Sequence, residues 1–198
     1  MIEIRTDREL GIKTIGIREW RDRNSVYNRC EPTPYVALDA LLANYKFNPK
    51  DHLLDVGCGR GRVGIYLYHK TKIRVTGIEI NETTLDEADS NLATYEFKHS
   101  LKHTPIQWVY SSAEQYEIEP SQNVFYFFNP FSVQIFKKAI NNILISHKEH
   151  ERPITLIIYY PIGEYQTYLK KSTPFKLAAH IPVPELLDST QYILIYKL

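Results

Sequence analysis

The chain has 198 residues, with 24 Lys+Arg against 23 Asp+Glu and a formal net charge of +1. That length suits one domain burying about 70% of its unfolded surface, and the near-neutral charge excludes a global field drawing in a polyanion, so nucleic acid is not favoured as a partner. Cys30 and Cys58 make no disulfide framework and fit a reducing, cytoplasmic compartment, while no apolar run approaches the ~18–20 residues of a membrane span.

Residues 1–30 read as an N-terminal arm or lid, distinct from a main domain over 31–198. Ile2, Ile4, Ile12, Ile15 and Ile17 are too loosely spaced for a helix, so an irregular segment packed on a sheet is expected. Arg18, Arg21, Arg23 and Arg29, set around Trp20 and Tyr27, could meet an anionic substrate or form a solvated basic segment.

Thr33 is predicted to cap a helix with Pro34 at its first position. Leu38, Leu41, Leu42 and Tyr45 would share its buried face. Asn48-Pro49 stops it ahead of an apolar strand, Leu53 to Val56. That strand runs into glycines and then into Val63, Tyr66 and Leu67 at helical spacing. A second strand over 73–80 carries Glu79 at its carboxyl end, and Asn81 caps the helix bearing Leu85, Ala88, Leu92 and Tyr95. Pro105 to Tyr110 forms a third strand and Val124 to Phe128 a fourth, apolar throughout as a strand covered on both faces should be. Ser132 can cap a helix carrying Val133, Phe136, Ile140, Ile143 and Leu144. Strand five is Ile154 to Tyr159, followed by a short helix from Gly163 to Lys170. Phe175 to Ile181 and Tyr192 to Leu198, joined without a helical pattern, close the sheet as a hairpin.

Strand, glycine turn and helix form the nucleotide-binding unit of open α/β sheets. Glycine tolerates unusual backbone angles and lets a ligand approach the main chain. The helix start adds free N–H groups. Glu79 ends the neighbouring strand, where a carboxylate can accept from both hydroxyls of a ribose. An adenosine-containing ligand follows. Gly59-Arg60-Gly61-Arg62-Val63-Gly64 also fits G-x-G-x-x-G, so spacing alone leaves a dinucleotide open.

Asp55-Val56-Gly57-Cys58-Gly59-Arg60-Gly61 resembles the D-x-G-x-G-x-G signature of class I S-adenosylmethionine-dependent methyltransferases, and weaker likeness extends over roughly residues 30–198. The resemblance implies an α/β, Rossmann-like three-layer sandwich with a seven-stranded, mostly parallel sheet and a C-terminal antiparallel hairpin. It implies S-adenosyl-L-methionine as cofactor, leaving as S-adenosyl-L-homocysteine, with no metal. By the same likeness Asp55, Gly57, Cys58, Gly59 and Gly61 would face the methionine part, Glu79 and Ile80 the ribose, and Ser112 and Ala113 the adenine. The family usually has an acid where Ser112 stands; its hydroxyl, or Glu114, could serve instead. Thr33 and Tyr35 would border the methionine end, and Asn129 would complete the crevice.

Asn129-Pro130-Phe131 resembles the [D/N]-P-P-[Y/F] motif of enzymes that methylate planar amino groups. There the Asn oxygen and a proline carbonyl accept from the target NH₂ while the aromatic ring stacks on it. Asn129, Pro130 and Phe131 are the implied catalytic residues, although one proline is missing and the ring moves up by one. The plain alternative is a strand end followed by a helix start. His99 and His103, and His147 and His150, lack a third ligand at zinc-like spacing and read as exposed polar residues. The expected activity is methyl transfer to an acceptor that could be a small molecule, a protein side chain or a nucleobase. An NAD(P)-linked oxidoreductase and a non-catalytic scaffold of the same fold are the competing readings.

Overall fold

A computed structural model describes residues 2–19, 28–184 and 190–198. Its sheet comprises β1 (His52–Val56), β2 (Arg74–Glu79), β3 (Ile106–Tyr110), β4 (Val124–Phe128), β5 (Thr155–Tyr159), β6 (Lys176–Pro182) and β7 (Tyr192–Lys197). The strands run in the order β3-β2-β1-β4-β5-β7-β6. The first five are parallel, and β7 is antiparallel to both β5 and β6. The chain winds outward from β1 to one side, then returns beside β1 as β4. Strand order reverses between β1 and β4, which opens a crevice at their carboxyl ends.

Apolar residues on both faces of the strands explain the three layers. Leu53, Tyr126 and Ile157 face one core together with α2 (Tyr35–Asn44) and α3 (Arg62–Thr71), and α4 (Glu82–Lys98) adds Tyr95 there. Leu54, Phe125, Phe127 and Leu156 face the other with α5 (Val133–Glu149) and α6 (Gly163–Ser172). Successive strand residues alternate between the two cores, as the period of two requires.

The N-terminal segment departs from the expected irregular arm. Ile2–Leu10 is a helix, α1, ended by Gly11 at φ +80. Its order comes from partners distant in sequence. Asp7, 5% exposed, accepts from Thr14 N at 2.7 Å and from Tyr35 Oη at 2.6 Å. Glu3 accepts from Tyr35 N at 3.0 Å and from Arg62 Nη1. One turn apart on the same helix face, the two acids hold α1 against the start of α3.

Two cap assignments also change. The first helix of the main domain begins at Tyr35 with Pro34 in the cap position and no side-chain cap, because the Thr33 hydroxyl pairs instead with Tyr126 Oη at 3.0 Å. Ser132 stands at the cap position of α5 without making the bond. Asn81 does cap α4, accepting from Thr84 N at 2.9 Å. His99 is half-buried rather than exposed, its ring 5.2 Å from that of His69 and 4.6 Å from that of Tyr95.

Candidate functional site

A cleft of about 860 Å³, including its open mouth, lies over the carboxyl ends of β1, β2, β3 and β4. The sequence brings its walls together from six places. Asp55, Gly57, Cys58 and Gly59 come from the β1 turn, and Glu79 and Ile80 from the end of β2. Ser111, Ser112 and Ala113 follow β3, while Phe128, Pro130 and Phe131 follow β4. Residues 28–33, ahead of α2, form a further wall, and Thr14 adds to it. Every predicted site residue except Gly61, Asn129 and Tyr35 lines this cleft.

The three exceptions have distinct physical causes. Gly61 is the residue before α3, at φ +81, and a Cβ there would meet the Trp108 ring at 2.7 Å. Trp108, on β3, also lies where Cβ atoms at Gly64 and Gly77 would fall, at 2.9 and 2.5 Å. These glycines make room for an indole rather than for a ligand. Gly59 is different: a Cβ there would meet Cys30 Sγ at 2.9 Å, on the opposite wall of the cleft. Tyr35 is fully buried with its hydroxyl on Asp7 and its ring 4.4 Å below the Arg62 guanidinium. Asn129, at φ +37, is covered by Asn28, whose Nδ2 donates to the Asn129 carbonyl at 2.7 Å and to its Oδ1 at 3.2 Å.

The charge in the cleft is mainly acidic once pairs are counted. Glu79 is 8% exposed, and its carboxylate accepts from the N–H groups of Gly59 at 3.1 Å and of Ile80 and Asn81 at 2.9 Å. Burial pushes its pKa up, against those three bonds. Asp55 is 2% exposed and keeps Oδ2 without a hydrogen-bond partner among the described residues. Its pKa is pushed up to about 7, by burial first and then by the Glu79 charge, with a backbone bond from Gly64 opposing. Each arginine on the wall is already engaged by a carboxylate. Arg29 pairs with Glu31 at 2.9 Å, Arg60 with Glu87 at 2.6 Å and Arg62 with Glu3. Burial, then the Glu79 charge, raises the Cys30 thiol to about 11, and burial raises Cys58 well above its ordinary value, so neither is a thiolate at neutral pH.

Phe131 touches the cleft, but its ring is buried against Phe127, with centroids 6.4 Å apart. Phe128 of the same segment also lines the cleft; it is half-buried and packs on Tyr159 at 4.7 Å. Glu114 does not line the cleft.

Sequence reasoning missed Asn28, Cys30, Glu31 and Pro32 as wall residues, since none carries a local signature. Arg18 bonds Cys30 through both backbone groups at 2.9 Å, while its side chain reaches Glu87 and Thr84 at 2.6 Å. That leaves Arg18 tied to α4. Trp20, Arg21, Arg23 and Tyr27 lie outside the described residues. Among the described residues no three His, Cys, Asp or Glu side chains converge as metal ligands, and no helix is long and apolar enough to cross a membrane.

Residues 53–145 match the family model described as a methyltransferase domain. None of the curated proteins matches the sequence. Among solved structures, an RNA methyltransferase from Salinibacter ruber in complex with S-adenosyl-L-homocysteine superposes with a TM-score of 0.58 at 17% identity, covering 84% of this chain and 91% of that one. The N-methyltransferase NodS from Bradyrhizobium japonicum gives 0.58 at 12% identity over 81% and 91%. A SAM-dependent methyltransferase from Leishmania major gives 0.58 at 15% identity over 82% and 71%. At these identities the structural likeness is one of fold, and the family match falls on β1 through α5, the segment that builds most of the cleft. Residues 53–145 are thus similar to a methyltransferase domain, and the chain shares the fold of the S-adenosylmethionine-dependent methyltransferases it superposes on.

Proposed function

We propose that this protein transfers the methyl group of S-adenosyl-L-methionine to a planar amino group at the carboxyl end of β4. The observation that carries the reading is the pair of buried acids on adjacent strand ends. Asp55 has an unsatisfied oxygen in the cleft wall, and Glu79 faces the glycine turn. A donor bearing an ammonium and a sulfonium suits these acids. A phosphate-bearing dinucleotide does not, because the arginines nearby are already paired.

The residues fit the donor in detail. Asp55 Oδ2 would take its ammonium. Glu79 has three N–H partners and room on Oε2 for a ribose hydroxyl. Gly57, Cys58 and Gly59 would lie along the methionine part, Thr33 across from them, and Ile80, Ser112 and Ala113 around the adenine. When bound, the donor supplies an electrophilic methyl carbon.

The rest is alignment and exclusion of water, and alignment alone can be worth about 7–11 kcal/mol. Asn129 Oδ1 and a main-chain carbonyl of the Asn129-Pro130 pair would accept from the target NH₂ and favour the nitrogen as positive charge develops on it. With one proline fewer than the motif it resembles, the segment turns the Phe131 ring into the core. The stacking surface then passes to Phe128. The amino proton leaves to water at the cleft mouth. Two proteins of the same fold, an RNA methyltransferase and an N-methyltransferase, are compatible with a nitrogen acceptor.

The test pairs binding with transfer. Calorimetry should find micromolar binding of S-adenosyl-L-homocysteine and none of NAD. Cell-extract fractions incubated with methyl-labelled donor should then yield label on nitrogen. Label on oxygen or carbon would overturn the amino-group assignment, and NAD binding without S-adenosyl-L-homocysteine binding would overturn the donor.

A further inference from the structure

Asn28 and Asn129 are 101 positions apart in the sequence, yet one residue holds both parts of the Asn129-Pro130 pair. The Asn28 backbone N–H donates to the Pro130 carbonyl at 2.9 Å. Its Nδ2 donates to the Asn129 carbonyl at 2.7 Å and to Asn129 Oδ1 at 3.2 Å. Asn28 lines the cleft and Asn129 does not. The backbone at Asn129 is left-handed, φ +37, a conformation that Asn accepts more readily than most side chains and that recurs at functional sites.

A side-chain carboxamide ends in a planar, conjugated NH₂ with two N–H groups. That is the hydrogen-bonding face of a primary amide or an exocyclic amino group. We propose that the Asn28 carboxamide occupies the place of the acceptor's planar NH₂, so that the segment 28–33 is an internal occupant which the acceptor must displace. The inference rests on the amino-group reading above and deepens it in two ways. It restricts the acceptor to groups offering two coplanar N–H donors, since a carboxylate would set its oxygens against the two Asn129 oxygens. It also makes acceptor affinity depend on how often the segment lifts: the observed affinity is the intrinsic one reduced by the fraction of molecules with the place open.

The segment is also tied two residues on from Asn28. Beyond Asn28, Cys30 is bridged to Arg18, and Arg18 is held to Glu87 on α4. Releasing the Asn28 end alone would expose Asn129 while the Arg18 end stays fixed.

The full-length protein saturated with S-adenosyl-L-homocysteine can be titrated with benzamide, a planar primary amide, and with benzoate, its isosteric acid, observing the ligands by NMR. Asn28→Ala removes the Nδ2 donors and should tighten benzamide about five- to tenfold, the effect of freeing two neutral hydrogen-bond acceptors at a half-open surface. Asn28→Asp, which cannot donate, should act in the same direction. Adding Asn129→Ala to Asn28→Ala should abolish the gain, and benzoate should not respond. Benzamide affinity within twofold of wild type in both Asn28 variants would overturn the internal occupant. So would an equal gain for benzoate. Benzamide binding that never depends on Asn129 would instead count against the amino-group reading, and failure to bind S-adenosyl-L-homocysteine against the donor site.

Discussion

Glu79 Oε2 accepts the N–H of Gly59 at 3.1 Å, joining the end of β2 to the turn that follows β1. The same carboxylate holds Ile80 N and Asn81 N through Oε1. One side chain therefore shapes the turn, fixes the entry to α4 and faces the cleft. Glu79→Ala should weaken S-adenosyl-L-homocysteine by about 1–3 kcal/mol, the range for losing charge-assisted bonds. Glu79→Gln keeps the acceptor for Ile80 and Asn81 but can turn its amide donors toward Gly59 N–H, so it should fall between wild type and alanine. Calorimetric dissociation constants for the three proteins check this order. An unchanged value for Glu79→Ala would remove the ribose role.

Asp55 should make donor binding depend on pH. Its pKa near 7 arises from burial and from the neighbouring Glu79 charge, and an ammonium needs it ionised. Affinity for S-adenosyl-L-homocysteine should therefore rise about tenfold per pH unit below 7 and level off above it, with a proton released on binding. The sign for stability is the reverse. A carboxyl whose pKa is higher folded than unfolded favours the ligand-free fold below the unfolded value of 3.8, and that contribution is lost as pH rises through about 7. The loss is on the order of 4 kcal/mol. Asp55→Asn should thus bind weakly with no slope near pH 7, yet resist urea better than wild type at pH 8. Binding that stays pH-sensitive in Asp55→Asn would place the titrating group elsewhere.

The glycine run can be tested apart from any ligand. The three atoms nearest a Cβ at Gly61 all belong to Trp108, the first at 2.7 Å, and the residue sits at φ +81. Gly61→Ala should cost about 1–2 kcal/mol for the left-handed backbone and about 1–3 kcal/mol for overpacking. Trp108→Leu should relieve the second cost and leave the first. Urea unfolding of the two single variants and the double variant should show a coupling of about 0.5–3 kcal/mol. Additive losses would mean that the indole does not set the need for glycine there.

Local pattern made much of this fold readable. Val124–Phe128 is a strand at the expected residues because a strand apolar throughout has nowhere to go but the middle of a covered sheet. The β1 turn and Glu79 were readable as a pair because the topology places neighbouring strand ends together. The unread parts depend on distant partners. Nothing near Gly61 in the sequence announces Trp108, and nothing near Asn28 announces Asn129. Thr33 has the look of a cap, but Tyr126, 93 positions on, takes its hydroxyl. Helix α1 was unreadable for the same reason: its Asp7 and Glu3 look like solvated charges until Arg62 and Tyr35 are folded against them.

That buried cluster gives the last prediction. Arg62 is 3% exposed, lies 3.5 Å from Asp7 Oδ1 and bonds Glu3, and its Nε donates to Thr14 Oγ1 at 2.6 Å. Removing one member of a buried ion pair strands the other charge, at a cost of about 3–5 kcal/mol. Asp7→Ala should reach that range, since it also orphans Thr14 N and Tyr35 Oη. Glu3 has a side chain 32% exposed, so water can replace it, and Glu3→Ala should cost about 1 kcal/mol or less. Because Thr14 and Arg62 also lie on the cleft wall, Asp7→Ala should weaken S-adenosyl-L-homocysteine as well, whereas Glu3→Ala should leave it near wild type. Urea midpoints and calorimetry on the two variants decide this, and equal, small losses of stability would show that α1 is not anchored through Asp7.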